Sequence, residues 1–287
     1  MKISSESGID FREQLQYPEV TAADIRRDPP EVGGSKIILQ RHERYQREER
    51  PGGALGSLTP ESAKRAYNQT CQIVEEMLAP LSEDERKELF FLVVGSSTKF
   101  KNQGMRSMET AAEVLKALKD QLQERTLSTE QIINNRSVQK SVAPITKMQA
   151  PRFLDDSEAY LAFLREKYGD ETQAFWKAFE EDTHNEERQS MEAEGPDEMD
   201  ARFAAYVKTL ANYAEHFHND NPGKRLVVWA VSHYDTVSPY IKRHITKTDP
   251  HQYLPIDYGA GVSVEIDSKG NATTTFQGKE YSVDVRL

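Results

Sequence analysis

Three short apolar runs constrain this chain more than any other feature, because each ends abruptly in side chains that carry charge or a hydroxyl. Lys36-Ile37-Ile38-Leu39-Gln40 empties into Arg41-His42-Glu43, Phe90 to Val94 runs into Gly95-Ser96-Ser97-Thr98, and Arg225 to Ser232 delivers His233. None approaches the ~20 apolar residues that span a bilayer, and runs of this length read as buried strands. Between them, apolar residues recur at three- and four-residue spacing, as in Phe203, Ala204, Val207, Leu210, Ala211 and Ala214. Strands alternating with helices predict an α/β fold of three layers, a mostly parallel sheet with helices on both faces. In an open sheet of that kind, ligands gather at the C-terminal ends of the strands.

The helix boundaries follow from capping chemistry. Thr59-Pro60-Glu61 reads as an N-cap with proline in the first turn, and Ser82 with Glu85 as a capping box. Helices are predicted over Arg106 to about Gln123, Ser157 to Lys167, Thr172 to Glu181, and from Asp197 to near Asn221. Gly261 to Ile266 and Ala272 to Phe276, joined by Asp267-Ser268-Lys269-Gly270-Asn271, predict a C-terminal hairpin. Residues 1–35 are expected to form an irregular N-terminal extension on a body of residues 36–287. An insertion over about 126–194, rich in Tyr160, Phe163, Phe175, Trp176 and Phe179, is expected to form a helical cap.

Composition narrows the partners. The 287 residues carry 37 Lys and Arg against 47 Asp and Glu, a net charge of −10. That balance argues against a nucleic-acid binder, whose affinity comes from cations that neutralise phosphates, while leaving room for a small basic pocket. The single cysteine, Cys71, cannot form an intramolecular disulfide. The N-terminus has no apolar signal region, so a cytoplasmic location is expected, without membrane attachment. Gly52-Gly53-Ala54-Leu55-Gly56 lacks the ending of a nucleotide-binding P-loop.

If the three strands are parallel neighbours, Arg41, His42, Arg106 and His233 converge. Two imidazoles and two guanidinium groups around one point are what phosphoryl transfer requires: an in-line nucleophile with fixed cations on the equatorial oxygens.

At these residues the chain resembles the histidine phosphatase superfamily, also called phosphoglycerate mutase-like. The matching segments are Arg41-His42, Leu58-Thr59-Pro60-Glu61, Ser96-Ser97 with Arg106 to Ala111, Gly195-Pro196-Asp197-Glu198 with Arg202, and Ser232-His233, together covering roughly Ile37 to Tyr240. The resemblance implies that His42 takes the phosphoryl group. It implies likewise that Arg41, Arg106 and His233 bind the phosphate, and that neither metal nor other cofactor is needed.

The chain departs from that pattern where the family reads Arg-His-Gly and this sequence reads Arg41-His42-Glu43. A glutamate there can weaken anion binding, raise the pKa of His42, or point away. Tyr234 replaces the glycine or aspartate common after the second histidine, which leaves several candidates for the general acid: Asp235 first, then Glu130, Asp155 or Asp156. The expected function is a metal-independent phosphatase that hydrolyses a small phosphomonoester through phosphohistidine at His42. The alternatives are an impaired relative that binds a phosphorylated ligand or a partner protein, and a mutase-type phosphotransfer. Substrate identity and oligomeric state are not legible.

Overall fold

The computed structural model describes residues 19–46, 54–98, 104–138, 148–154, 158–169 and 172–286. Strands β1 (Ser35–Arg41), β2 (Leu89–Gly95), β3 (Arg225–Ser232), β4 (Gly261–Ile266), β5 (Ala272–Phe276) and β6 (Lys279–Val283) form one six-stranded sheet in the order β2-β3-β1-β4-β5-β6. The β2, β3 and β1 strands are parallel, β4 pairs antiparallel with β1, and β5 and β6 extend the sheet, each antiparallel to the strand before it. The predicted hairpin is therefore not an appendage but an extension of the same sheet. The edge strand β6 went unforeseen because Lys-Glu-Tyr-Ser-Val carries too little apolar signal.

Helices α1 (Pro60–Leu78), α2 (Glu83–Lys87) and α3 (Arg106–Glu124) precede the insertion, within which lie α4 (Glu158–Tyr168), α5 (Gln173–Glu180) and α6 (Asn185–Ser190). Helix α7 (Pro196–Asp220) leads into β3. The short α8 (Tyr234–Tyr240) follows it and continues into a π-helical turn at Ile241–Thr246. The N-terminal ends form as the residue types dictate: Thr59 accepts from the Ser62 amide, and Ser82 and Glu85 cap each other reciprocally. Sequence periodicity did not reveal α8, because a seven-residue helix containing Pro239 is too short to show it.

The central strands are buried on both faces, and their side chains alternate between two cores. Ile37, Leu39, Val228 and Ala230 face α7 and α8, whereas Ile38, Val93, Val227 and Trp229 face α1 and α3. This is the three-layer arrangement in residue terms. The insertion gathers a smaller core, Tyr160, Leu164, Phe175 and Phe179, against Met199 of α7. The extension touches the body through Val20, which bridges Ile256. Among the described residues no helix is long and apolar enough to cross a membrane.

One close approach links the fold to what lies at its carboxyl edge. Gly95 ends β2, and a Cβ there would meet Met108 Sδ at 2.9 Å and Ala111 Cβ at 3.0 Å, so α3 lies directly against the strand end. Substituting alanine must push the first turns of α3, and with them Arg106, away from the sheet. Gly95→Ala is expected to cost about 1–3 kcal/mol in chemical denaturation, as overpacked cores do, and an unchanged midpoint would show that α3 tolerates the displacement.

Candidate functional site

The register of the parallel strands builds the site. Arg41 lies opposite Ser232 at the ends of β1 and β3, and the His42 amide donates to the Ser232 carbonyl at 2.9 Å. The next residue of each strand is a histidine, and their rings meet edge to face with centroids 5.1 Å apart. Ser96 continues from β2, and Arg106 and Ser107 supply the first turn of α3, whose N-terminus faces the same place. A helix end of this kind favours anions through its free amides and dipole. Glu109 holds that end by accepting from the amides of Leu58 at 2.7 Å and Met105 at 3.1 Å.

A cavity of about 280 Å³ opens here, lined by Arg41, His42, Arg106, His233 and Asp235, with Tyr45, Trp176, Tyr234, Tyr253 and Tyr258 around them. The structure thus brings together all five residues singled out in the sequence. Glu130 is exposed on a 3-10 turn at Thr129–Gln131, beyond the outer edge of β2, and does not line the cavity. Asp155 and Asp156, and likewise Arg47, Arg50, Gly52 and Gly53, lie outside the described residues.

His42 is oriented from both sides. Its Nδ1 lies 2.7 Å from the carbonyl oxygen of Glu43, a group that can only accept, so the proton sits on Nδ1 and Nε2 keeps its lone pair. Arg106 donates from Nε to that Nε2 at 3.1 Å, inside the cavity. Burial first, then the charge of Arg106, the neighbouring His233 and Arg41, hold His42 well below its ordinary pKa. His233 is held low by burial, Arg106, Arg202 and Arg41. Its Nε2 lies within 3.2 Å of Ser96, Thr98 and Ser107 hydroxyls, and its Nδ1 is buried with no hydrogen-bond partner.

Arg41 stacks on the Tyr258 ring at 3.8 Å and bonds the Ile256 carbonyl, leaving its Nε buried and unpaired. Asp235, in the first turn of α8, is fully enclosed. Burial raises its carboxyl to about 7 against the opposing pull of Arg106, Arg202 and Arg41, and its Oδ1 has no partner. Buried polar groups without partners are rare, and three from separate residues of one cavity mark the place where a ligand's own polar atoms belong.

Glu43 takes the third of the courses open to it. Its carboxylate turns toward α1, where it pairs with Arg65, and its amide donates to Thr110 Oγ1 at 3.1 Å. A Cβ on Gly259, whose φ is +74°, would fall 2.3 Å from Glu43 Oε1, so glycine there makes room for the glutamate. The carboxylate does not line the cavity, and His42 is lowered rather than raised.

Sequence reasoning missed the second polar support of the site. Glu180, buried at the end of α5, pairs with the equally buried Lys242. It also accepts from Tyr234 Oη at 2.8 Å, from Ser238 and from the Leu254 amide at 3.2 Å. This network ties the insertion to α8, and nothing in the sequence sets Glu180 apart from Glu181 and Asp182 beside it.

These titrations set opposite pH dependences of stability. The unfolded chain protonates both histidines below their ordinary value of 6.5 whereas the folded site does not, so their contribution is complete above 6.5 and is lost as pH falls. Asp235 works the other way: from its unfolded 3.8 up to about 7 the folded form holds the proton, so its burial costs more stability as pH rises. Asp235→Asn is expected to be more stable than the parent at pH 8, by up to about 4 kcal/mol, with the gain vanishing near pH 4. Denaturation of the two proteins at both pH values checks this, and a gain independent of pH would contradict it.

No known family model matches the chain, and no curated protein matches it. Solved structures with a similar outline include phosphoglycerate mutase from Bacillus anthracis str. Sterne, 15% identical with a TM-score of 0.46, covering 88% of this chain and 95% of that one. A mycobacterial glucosyl-3-phosphoglycerate phosphatase is 12% identical with a TM-score of 0.42, over 88% of this chain and 97% of that one. A protein described as mycobacterial hydrolase 1 is 11% identical with a TM-score of 0.40, over 84% and 92%. These likenesses are of general outline, and the chemistry available to this chain rests on its own side chains.

Proposed function

We propose that the protein is a metal-independent phosphomonoester hydrolase in which His42 Nε2 takes the phosphoryl group. The observation that carries this reading is the state of His42: deprotonated by its surroundings, fixed through Nδ1 on a carbonyl, and aimed with its lone pair at a cavity that holds two guanidinium groups.

The ester phosphate enters with its oxygens toward Arg41, Arg106 and His233. Arg106 exchanges its bond to Nε2 for a phosphate oxygen, which frees the lone pair. A bond forms from His42 Nε2 to phosphorus as the bond from phosphorus to the ester oxygen breaks. The departing oxygen takes the proton of Asp235, whose carboxyl stays protonated below about pH 7. Alcohol leaves, and water enters. The Asp235 carboxylate takes a proton from that water as its oxygen attacks phosphorus, the bond from phosphorus to Nε2 breaks, and phosphate departs with His42 and Asp235 restored. Arg106 and His233 are themselves buried, so their contacts to the oxygens contribute more than they would in open water.

The turn of Glu43 away from the cavity supports the hydrolase over an impaired binder, since the charge that would oppose an anion is neutralised by Arg65. Incubation with phosphomonoesters, followed by quench in base, is expected to trap an acid-labile, base-stable phosphate on His42 that His42→Ala abolishes. Arg106→Ala is expected to lower kcat by about 10²–10³-fold. Turnover surviving in His42→Ala, or label on another residue, would sink the mechanism.

The two titrations also define a rate profile. The value of kcat/KM reports groups of the free enzyme, so it is expected to fall as pH rises through about 7, where Asp235 ionises, with an acid limb well below 6.5 set by His42. Asp235→Asn removes the alkaline limb and slows esters of poor leaving alcohols much more than p-nitrophenyl phosphate, which needs no proton to depart. Equal losses on both substrates would take the general-acid role from Asp235.

A further inference from the structure

Beyond the phosphate cluster, the cavity has an unusual lining. Five aromatic residues face it, from four separate segments: Tyr45 after β1, Trp176 on α5, Tyr234 on α8, and Tyr253 and Tyr258 on the loop before β4. They form two groups. Tyr45 and Tyr258 flank His42 at ring-centroid distances of 5.7 and 5.9 Å, and each carries an arginine on its face: Arg106 at 4.0 Å on Tyr45, and Arg41 at 3.8 Å on Tyr258. Trp176, Tyr234 and Tyr253 form a connected wall, with centroids 5.6 Å apart from Trp176 to Tyr234 and 6.3 Å apart from Tyr234 to Tyr253. Tyr45, Trp176, Tyr253 and Tyr258 remain half-exposed, so they are not merely core.

We infer that the substrate is a phosphomonoester whose phosphate is carried by a group with a single aromatic ring. The inference rests on the phosphatase reading for the phosphate end and on this wall for the other. An aromatic ring between such side chains finds edge-to-face and offset partners, which adds to the area it buries. A sugar would need many hydrogen bonds. Apart from the phosphate cluster and the aromatic residues, the lining offers Glu19 and Gln173 as polar side chains, beside Pro255 and Ile256, and the Tyr234 hydroxyl is already committed to Glu180. A ring offered to this lining meets aromatic side chains on several sides, whereas a sugar would have to find its many partners among Glu19, Gln173 and the phenolic hydroxyls. The volume of about 280 Å³ falls just below the ~300–1,000 Å³ of pockets that enclose drug-sized ligands, which suits a phosphate and one ring.

The Glu180 network fixes the orientation of this wall. Because Tyr234, Trp176 and Leu254 are all held through Glu180 or its helix, the ring-binding surface is set before substrate arrives.

The test compares benzyl phosphate with cyclohexylmethyl phosphate and glucose 6-phosphate, whose leaving alcohols are similarly poor, so that intrinsic reactivity does not enter. The intact protein is expected to favour benzyl phosphate about tenfold in kcat/KM over the sugar phosphate, and severalfold over the saturated ring. Trp176→Ala is expected to collapse both ratios, and Trp176→Phe to retain them. Affinities of benzylphosphonate and cyclohexylmethylphosphonate, measured by calorimetry, read the wall without chemistry. Comparable values for the aromatic and saturated compounds overturn the aromatic inference while leaving hydrolysis intact. An aromatic preference in binding with no turnover and no phosphohistidine upholds the ring site and overturns the phosphatase reading instead.

Discussion

The parallel pairing of β1 with β3, in the register that sets Arg41 opposite Ser232, is the constraint on which the site depends. Strands in that register end level, so the next residue of each, His42 and His233, must lie side by side. Slipping the pairing by one residue would turn every side chain of β1 to the opposite face and exchange its two cores. Register is therefore enforced by the whole buried length of the strands, from Ile37 and Ile38 to Leu226 and Val227, and the position of two imidazoles comes with it. Gln40 reinforces this from within the sheet, accepting from Trp229 Nε1 at 2.7 Å and donating to the Gly259 carbonyl at 2.8 Å.

A carboxylate beside a proposed nucleophile is harmless when another contact settles its direction. The Glu43 backbone serves the site twice, through the carbonyl that holds His42 Nδ1 and through the amide bonded to Thr110 on α3. Its buried side chain points away from the cavity, joining α1 through Arg65 and packing against the glycine at position 259. Where a glycine would carry no side chain, this chain buries the glutamate away from the cavity, against Arg65 and in the space left by Gly259. The compensation is local, and a one-residue motif comparison is blind to it because the partners, Arg65 and Gly259, lie 22 and 216 positions away.

Much of the fold was legible because its signals are local. The three parallel strands, the hairpin, and the helices opened by Thr59-Pro60 and Ser82 through Glu85 lie where run length and capping placed them. Arg41, His42, Arg106, His233 and Asp235 were found because each follows directly from a strand end or opens the next helix. What escaped notice depends on distant partners. The β6 strand is polar and is stabilised by pairing with β5, and α8 is too short for periodicity. Glu180 and Lys242 acquire meaning only when folding buries them together. The aromatic residues of the insertion pointed only to a helical cap; Phe175 and Phe179 are core, but Trp176 between them turns to the cavity. No spacing rule separates those three.

The proposed nucleophile and acid need opposite protonation states at one pH, and a single property of the cavity works toward both. Removal from water disfavours charge of either sign. For His42 that means loss of the proton and an available lone pair; for Asp235 it means retention of the proton and a group able to donate. The arginines act unequally on this arrangement, since Arg41 and Arg106 push His42 further in the useful direction but pull Asp235 back toward ionisation. Burial prevails, leaving Asp235 near 7 rather than far above it. A bound phosphate changes the balance again, because its negative charge offsets the arginines and favours the protonated forms of both groups. The acid is strengthened in its role when substrate is present. For the histidine, the carbonyl on Nδ1 and the contact between Nε2 and phosphorus keep the lone pair directed at the reacting atom.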